Sequence, residues 1–209
     1  MHLDDKETIK SIHNYKNVIK RDISPILCCN IDFINIYKPK LCGGAFYSYF
    51  KEAMDFSKTD FDLFFPNRQL AIKADKYFRA YFEVDDKKTG YSVSKLYKYK
   101  NYKFNIVTHW HGSSVEDICQ LFDYYHVCNG YDFATDKFWI NELSIDCIKN
   151  KILKICDMNN ITTRKIEHVA SRYAKLIYQK ELKPTFKKED IGLKVYTDAV
   201  LARLALDNA

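Results

Sequence analysis

The chain has 209 residues, 47% hydrophobic and 29% charged, a balance that supports a folded core and excludes a disordered or fibrous chain. Its net charge of +6 suits a polyanionic partner such as a nucleoside triphosphate or RNA, and equally a mildly basic surface, but falls short of a dedicated nucleic-acid-coating domain. Seven cysteines without a CxxC pair argue against a disulfide framework or a zinc site and point to a reducing compartment.

The first ten residues, MHLDDKETIK, are charged and hold no apolar core, which predicts no secretory leader. No apolar run approaches membrane-spanning length, so the expectation is a cytoplasmic protein with no membrane partner. Residues 4–20 read as a polar helix, followed by mixed structure to Lys38. Leu41-Cys42-Gly43-Gly44 reads as a turn opening a helix from Ala45 to about Met54. Thr59 to Phe65 is a predicted strand stopped by Pro66-Asn67, and Asn67 to Phe82 has helical spacing with Leu70, Ala74, Tyr77 and Tyr81 on one face.

Lys88 to Tyr99 alternates as a strand or hairpin edge does, and Lys103 to Trp110 is a second strong strand. Ser113-Ser114 with Glu116 resembles an N-cap for a short helix through Gln120. The stretch from Phe122 to Tyr131 has no clear period. From Asn141 the pattern turns helical, through Ile145, Ile148, Ile152 and Leu153, then from Thr162 to Leu182, with Pro184 as a stop and a last helix over Glu189–Leu206. An α/β segment therefore comes first and a helical one second, dividing near residue 140.

Asp60-Phe61-Asp62 lies inside the apolar strand. Strand side chains alternate faces, so the two aspartates share one face, about 6.5 to 7 Å apart, while Phe61 takes the other. Paired carboxylates suit a divalent cation, and the adjacent Gly43 and Gly44 let backbone approach a phosphate closely ahead of a helix N-terminus. With only 6 glycines in the chain, an adjacent pair at this place is a pointed signal. The bland alternative is a solvated strand after an unrelated turn. His109-Trp110-His111 puts two imidazoles on one strand face, with no third ligand at good spacing, so a surface role is favoured over zinc. Tyr97, Tyr99 and Tyr102 interleave with Lys95, Lys98, Lys100 and Lys103, as a base-stacking basic strip or an ordinary exposed hairpin would. Arg68 and Lys73, just after the Asp strand, are lesser phosphate-binding candidates.

The ordered set of Gly-Gly, short helix and Asp-x-Asp resembles the nucleotidyltransferase superfamily of DNA polymerase β. The likeness extends to a branch found in phages and large viruses, which places an apolar strand after the Asp-x-Asp unit. That branch continues with a Phe-Asp-aromatic motif near a Cys, and with a helical tail carrying Arg-x-x-Lys. Here the strand is Phe104-Asn105-Ile106-Val107 and the motif Phe122-Asp123-Tyr124 with Cys128 and Tyr131. The tail is Arg172-Tyr173-Ala174-Lys175, and the match spans about Leu41 to Lys180.

The resemblance implies an α+β fold, a polymerase β-like nucleotidyltransferase core of mixed sheet and flanking helices over residues 1–140. A helical segment over residues 141–209 would pack against it. It implies a metal-dependent transfer of NMP from an NTP to a hydroxyl, with Asp60 and Asp62 binding Mg²⁺ or Mn²⁺ and Gly43 and Gly44 holding the triphosphate. The superfamily's third carboxylate lies on a neighbouring strand, where this chain has Asn105, and an amide binds metal poorly. Asp123 then serves as third ligand or general base, or is a structural carboxylate. Arg172 and Lys175, one helical turn apart, would grip triphosphate or RNA backbone, or form a solvated face. RNA, first a tRNA 3′ end, is the expected acceptor; a protein or small-molecule hydroxyl, or a binding-only protein of the same fold, are the alternatives. The nucleotide used and the oligomeric state stay open.

Overall fold

A computed structural model describes residues 6–50, 55, 59–84, 94–156, 172, 173, 176, 177 and 182–185. Its centre is a seven-stranded mixed sheet in the order β3-β4-β5-β2-β1-β6-β7. The strands are β1 (Lys40–Cys42), β2 (Asp60–Phe65), β3 (Glu83–Val84), β4 (Ser94–Tyr99), β5 (Tyr102–His111), β6 (Asn129–Asp132) and β7 (Lys137–Ile140). Neighbours run antiparallel except for β2 and β5, which are parallel. A parallel pair needs a crossover, and α5 (Arg68–Tyr81) supplies it, capped by Asn67, whose side chain accepts from the Leu70 N–H at 3.0 Å.

Because side chains alternate, the two faces of this sheet have different chemistry. Leu41, Phe61, Leu63, Phe65, Tyr97, Phe104, Ile106 and Tyr131 point to one face and are buried in the main core. Ala71, Ala74, Tyr77 and Phe78 of α5 press onto them, with Phe78 stacked on Phe82 at 4.2 Å and edge-on to Phe104 at 5.7 Å. α1 (Lys6–Val18), the π-helical turn Ile19–Ile23, α2 (Ser24–Leu27) and α3 (Phe33–Tyr37) extend the same layer through Tyr15, Ile19, Ile23, Leu27 and Phe33. The N-terminal helix, read from its polar composition, thus buries Tyr15 and leads into the buried Ile19 and Ile23 of the π-helical turn. Lys16 and Lys20 tie it to the β6–β7 turn by pairing with Asp136 at 2.9 and 2.7 Å.

The other face carries rows of different character. Trp139, Gly130, Cys42, Asp62, Asn105 and Leu96 are successive register partners across six strands. One step along lies the charged row Asp60, Lys103, Lys98, Glu83. One step the other way, Phe64, Lys40, Asp132 and Lys137 align, with the buried Lys40 pairing with the half-buried Asp132 at 3.6 Å. α6 (Val115–Cys119) covers the Phe64 end of this face in a second core of Cys42, Phe64, Val107, Val115, Ile118, Cys119, Phe122 and Cys128. Its cap is Ser114, as its spacing predicts, but the reciprocal partner is Asp117, not Glu116: Asp117 accepts from the Ser114 N–H at 2.9 Å and its own N–H reaches the Ser114 hydroxyl at 3.0 Å.

The helix after the glycine turn, α4, spans Gly44–Phe50. α7 (Glu142–Lys149) packs by Ile148 against Tyr47 of α4 and Tyr124, in a third cluster that includes Leu153, Ile155, Tyr173, Leu176 and Leu182. The helical reading over Ile152 and Leu153 is corrected: these residues form a short strand, β8 (Ile152–Leu153), parallel to β9 (Lys183–Pro184). Lys151, with φ of 54°, turns the chain out of α7, which a continuing helix would not allow. The helix expected over Glu189–Leu206 lies outside the described residues, as does most of the stretch from Thr162 to Leu182 and the first half of the strand read from Lys88. Among the described residues no helix is long and apolar enough to cross a membrane.

Gly130 is where α6 meets the sheet. A Cβ there would stand 2.7 Å from Cys42 Sγ and closer still to Val115 Cγ1. Gly130→Ala should therefore destabilise the chain by about 2 kcal/mol through overpacking, seen as a lower urea midpoint with an unchanged m-value.

Candidate functional site

β1 and β2 pair so that Cys42 stands opposite Asp62. The chain leaves β1 at Gly43 with φ of +91°, a conformation open to glycine and strained for other residues. The turn folds back over the sheet: a Cβ on Gly43 would lie 3.3 Å from Asp62 Oδ2 and 3.6 Å from Phe122 Cζ. Glycine at this position therefore serves two needs, the backbone angle and the room beside the carboxylate. Gly43 N–H donates to the Asn129 carbonyl at 3.2 Å, which anchors the turn to β6 and takes that donor out of play for a ligand. Among the described residues a Cβ on Gly44 would meet nothing within 4 Å, so the open side of the turn is at the second glycine.

On the other flank of β2, Asn105 is the register partner of Asp62 and its Nδ2 donates to Asp62 Oδ1 at 2.8 Å. The residue that sequence reading marks as a missing acid is thus a direct partner of the acid that is present. The two oxygens of Asp62 have different surroundings, Oδ1 tethered by an amide and Oδ2 beside the glycine turn. Asp62 is half-buried while Asp60 is exposed at the start of the strand. Beyond Asp60 on the same face come Lys103 and Lys98. Two carboxylates, one of them held in a cradle that a methyl group would fill, form an oxygen donor set that fits a hard divalent cation sharing its remaining positions with phosphate or water. Among the described residues no three His, Cys, Asp or Glu side chains converge on a metal position, so this fit rests on the pair and on substrate oxygens.

Asp123 is buried, 3% exposed, in the loop between α6 and the 3₁₀ turn Tyr125–Val127. Its neighbour Phe122 packs edge-on against Phe64 at 5.8 Å and forms a wall of the Gly43 turn. The Asp123 carbonyl accepts from Cys156 N–H at 2.9 Å, and Tyr124 bridges to Ile155. Burial first, then the charge of Asp123, drives the Tyr124 hydroxyl well above the usual tyrosine range, with Arg172 acting in the opposite sense. Arg172 thus belongs to the surroundings of the Phe-Asp-Tyr motif; Lys175 lies outside the described residues.

Other candidates fall away from the carboxylates. α5 packs on the apolar face, so its exposed Arg68 and Lys73 lie behind the sheet. His109 and His111 are both exposed, and His109 Nδ1 meets Thr108 Oγ1 at 3.0 Å. The tyrosine–lysine strip is divided by the pleat. Tyr97 is fully buried and its hydroxyl donates to the Asp75 carboxylate, while Tyr99 and Tyr102 pack on the main core. The base-stacking reading is therefore corrected for Tyr97, which is a core residue; Tyr99 and Tyr102 are half-buried against that core, and Lys98 and Lys103 share the face of Asp60. Alternation within the nine residues from Lys95 to Lys103 carries the signal for that division.

Solved structures share this architecture. A CCA-adding enzyme of Thermotoga maritima complexed with tRNA matches with a TM-score of 0.55 at 12% identity, over 82% of this chain and 40% of that one. A Bacillus stearothermophilus CCA-adding enzyme in complex with CTP matches at 0.54 and 12% identity, over 84% and 41%. A tRNA nucleotidyltransferase complexed with a primer tRNA and an incoming ATP analogue matches at 0.55 and 13% identity, over 78% and 48%. The chain spans less than half the length of these structures. The fold is α+β and polymerase β-like, a mixed sheet with flanking helices. No protein-family model matches the sequence, and no curated protein matches it.

Asn105→Asp would replace a donor to Asp62 by a second carboxylate at the same separation. Like charges at that distance cannot both ionise without cost, so the metal-free variant should be about 1 to 3 kcal/mol less stable at neutral pH. It should bind Mn²⁺ at least about tenfold more tightly, with an affinity rising more steeply from pH 5 to 8 than that of the parent chain. Paramagnetic resonance titration of free Mn²⁺, beside thermal melts, checks both signs.

Proposed function

We propose that the chain is a metal-dependent nucleotidyltransferase that moves NMP from an NTP to a hydroxyl on RNA, with a tRNA 3′ end as the first acceptor to test. The observation that carries this reading is the closeness of Gly43 to Asp62 Oδ2 within a polymerase β-like core. The RNA acceptor and the NTP donor draw support from solved neighbours that are complexes with tRNA, CTP and an ATP analogue.

In this reading Asp60 and Asp62 hold Mg²⁺ or Mn²⁺, and Asn105 keeps Asp62 in one orientation through its amide. A divalent cation bound there would stabilise the charge developing on the reacting phosphate and on the departing pyrophosphate. The Gly43-Gly44 turn offers an unencumbered surface on which triphosphate can lie close to the main chain. Lys103 and Lys98, in the row of Asp60, are placed to offset the added negative charge. Asp123 is the proposed third acid or general base toward the acceptor hydroxyl, with Arg172 and Lys175 gripping triphosphate or the RNA backbone. Residues 141–209 would form the wall opposite the sheet.

Asn105 gives the second reading its footing, a nucleotide- or RNA-binding protein without turnover, because an amide occupies a row position beside the carboxylate where an acid would add a metal ligand. Each α-labelled NTP, incubated with Mg²⁺ or Mn²⁺ and total cellular RNA, separates the two. Label should move onto RNA with release of pyrophosphate, and the Asp60→Ala/Asp62→Ala variant should be slower by at least about 10³-fold. Metal-dependent NTP binding with no pyrophosphate released would select the binding-only reading, and label on protein would redirect the acceptor.

A further inference from the structure

All seven cysteines are thiols, and four of them, Cys42, Cys119, Cys128 and Cys156, gather on the carboxylate face beneath the Phe122–Cys128 loop. Within this group Cys128 Sγ and Cys156 Sγ are in contact at 3.3 Å, although they are 28 residues apart in the chain. Cys128 is 2% exposed and its thiol also faces the carbonyls of Tyr124 at 3.4 Å and Cys119 at 3.6 Å. Cys156 is half-buried, so of the two residues in contact it is the more accessible.

The main chain already holds the two segments together on either side of the sulfurs. Cys156 N–H donates to the Asp123 carbonyl at 2.9 Å, Tyr125 N–H to the Lys154 carbonyl at 3.0 Å, and the Tyr125 hydroxyl to the Cys156 carbonyl at 3.2 Å. A bond between the sulfurs would close a ring whose other connections exist before oxidation, with the sulfurs drawing in from 3.3 Å to about 2 Å. Two of the remaining thiols, Cys119 and Cys147, are poorer candidates. The hydrogen bond with Cys42, and then burial, push the Cys119 thiol far above its usual range, and burial pushes Cys147 up to about 11. Both therefore stay protonated where thiolate is the reactive form.

We propose that Cys128 and Cys156 are a paired oxidation site, closed to a disulfide by a hydroperoxide, that staples the Asp123 loop to the segment leading toward Arg172. The half-buried Cys156 attacks the peroxide as thiolate, the O–O bond breaks, and a sulfenic acid forms with release of water or the corresponding alcohol. Cys128 sulfur then attacks the sulfenic sulfur; the S–S bond forms, the S–O bond breaks, and hydroxide leaves with the Cys128 proton as water. Two thiols lose two electrons in all, and the peroxide accepts them. The site stands whether or not the chain transfers nucleotides.

Peroxide treatment of the intact folded chain, then alkylation, digestion and mass spectrometry, tests the proposal. The expected product is a cross-linked peptide pair joining Cys128 to Cys156, lighter by about 2 Da than the two thiol peptides and lost on adding dithiothreitol. Cys128→Ser should leave Cys156 trapped by dimedone as sulfenic acid, and Cys156→Ser should leave Cys128 unoxidised. The oxidised parent chain should melt roughly 5 °C higher than its reduced form. Alkylation of both cysteines after peroxide, a bond from Cys156 to Cys119 or Cys147 instead, or equal cross-linking in urea would each overturn it.

Discussion

Asp62 is held from both flanks of its strand, and the arrangement around it follows from that hold. On one side the antiparallel β1 brings Cys42 opposite, so that the next residue, Gly43, must turn directly over the carboxylate. On the other the parallel β5 brings Asn105 opposite, and its amide fixes one carboxylate oxygen at 2.8 Å. A carboxylate with both oxygens free in a half-buried place would carry an uncompensated desolvation cost. The amide offsets part of it without adding charge, and leaves the other oxygen facing the turn. The parallel pairing that makes this possible depends in turn on α5, the crossover, whose aromatic face is seated on Phe61 and Phe104 behind the same strands.

Much of that frame can be read from residue order. Asp60 and Asp62 on one face, Phe61 on the other, follows from a period of two, and the burial along β2 obeys it. Asn67 before a run with apolar residues at helical spacing announces α5, and the capping bond to Leu70 is present. Gly43 is legible as a residue needing a positive φ once the turn is inferred; that it also needs an absent Cβ because Asp62 lies against it is a fact of three dimensions. Sequence order places the glycines some twenty residues from the aspartates, and only strand pairing brings them together.

What reads poorly has a common cause: local composition is silent about which side of a pleat or helix a neighbour will cover. Tyr97 and Lys98 look alike as members of an aromatic–basic strip, yet one donates to Asp75 inside the core and the other aligns with Lys103 beside Asp60. The first helix reads as polar because charged and polar residues dominate it, while Tyr15 near its end, followed by Ile19 and Ile23, supplies the apolar buried contacts. Ile152 and Leu153 continue an apolar helical pattern from α7, but Lys151 adopts a left-handed angle and β9, thirty residues away, captures them as a strand. In each case tertiary pairing overrides a short-range preference worth less than a kcal/mol or so per residue.

The division of the sheet into one apolar and one mixed face also bears on how firmly the carboxylates can be placed. Positioning to within a fraction of an ångström requires supports that do not relax, and the apolar face provides them as interlocked rings: Phe33, Phe61, Phe78, Phe82, Tyr97 and Phe104 form one contiguous aromatic body. Each such residue buries on the order of 150 to 250 Å², so displacing β2 or β5 would uncover several at once. The mixed face then need not supply its own rigidity near Asp60, which is left exposed with Lys103 and Lys98 in its row. Toward Phe64 the same face closes again under α6 and Phe122, so among the described residues the open ground lies at the beginning of β2 and the second glycine of the turn. A polyanion approaching that ground meets lysines along one side and uncrowded backbone on the other, with the acids between them.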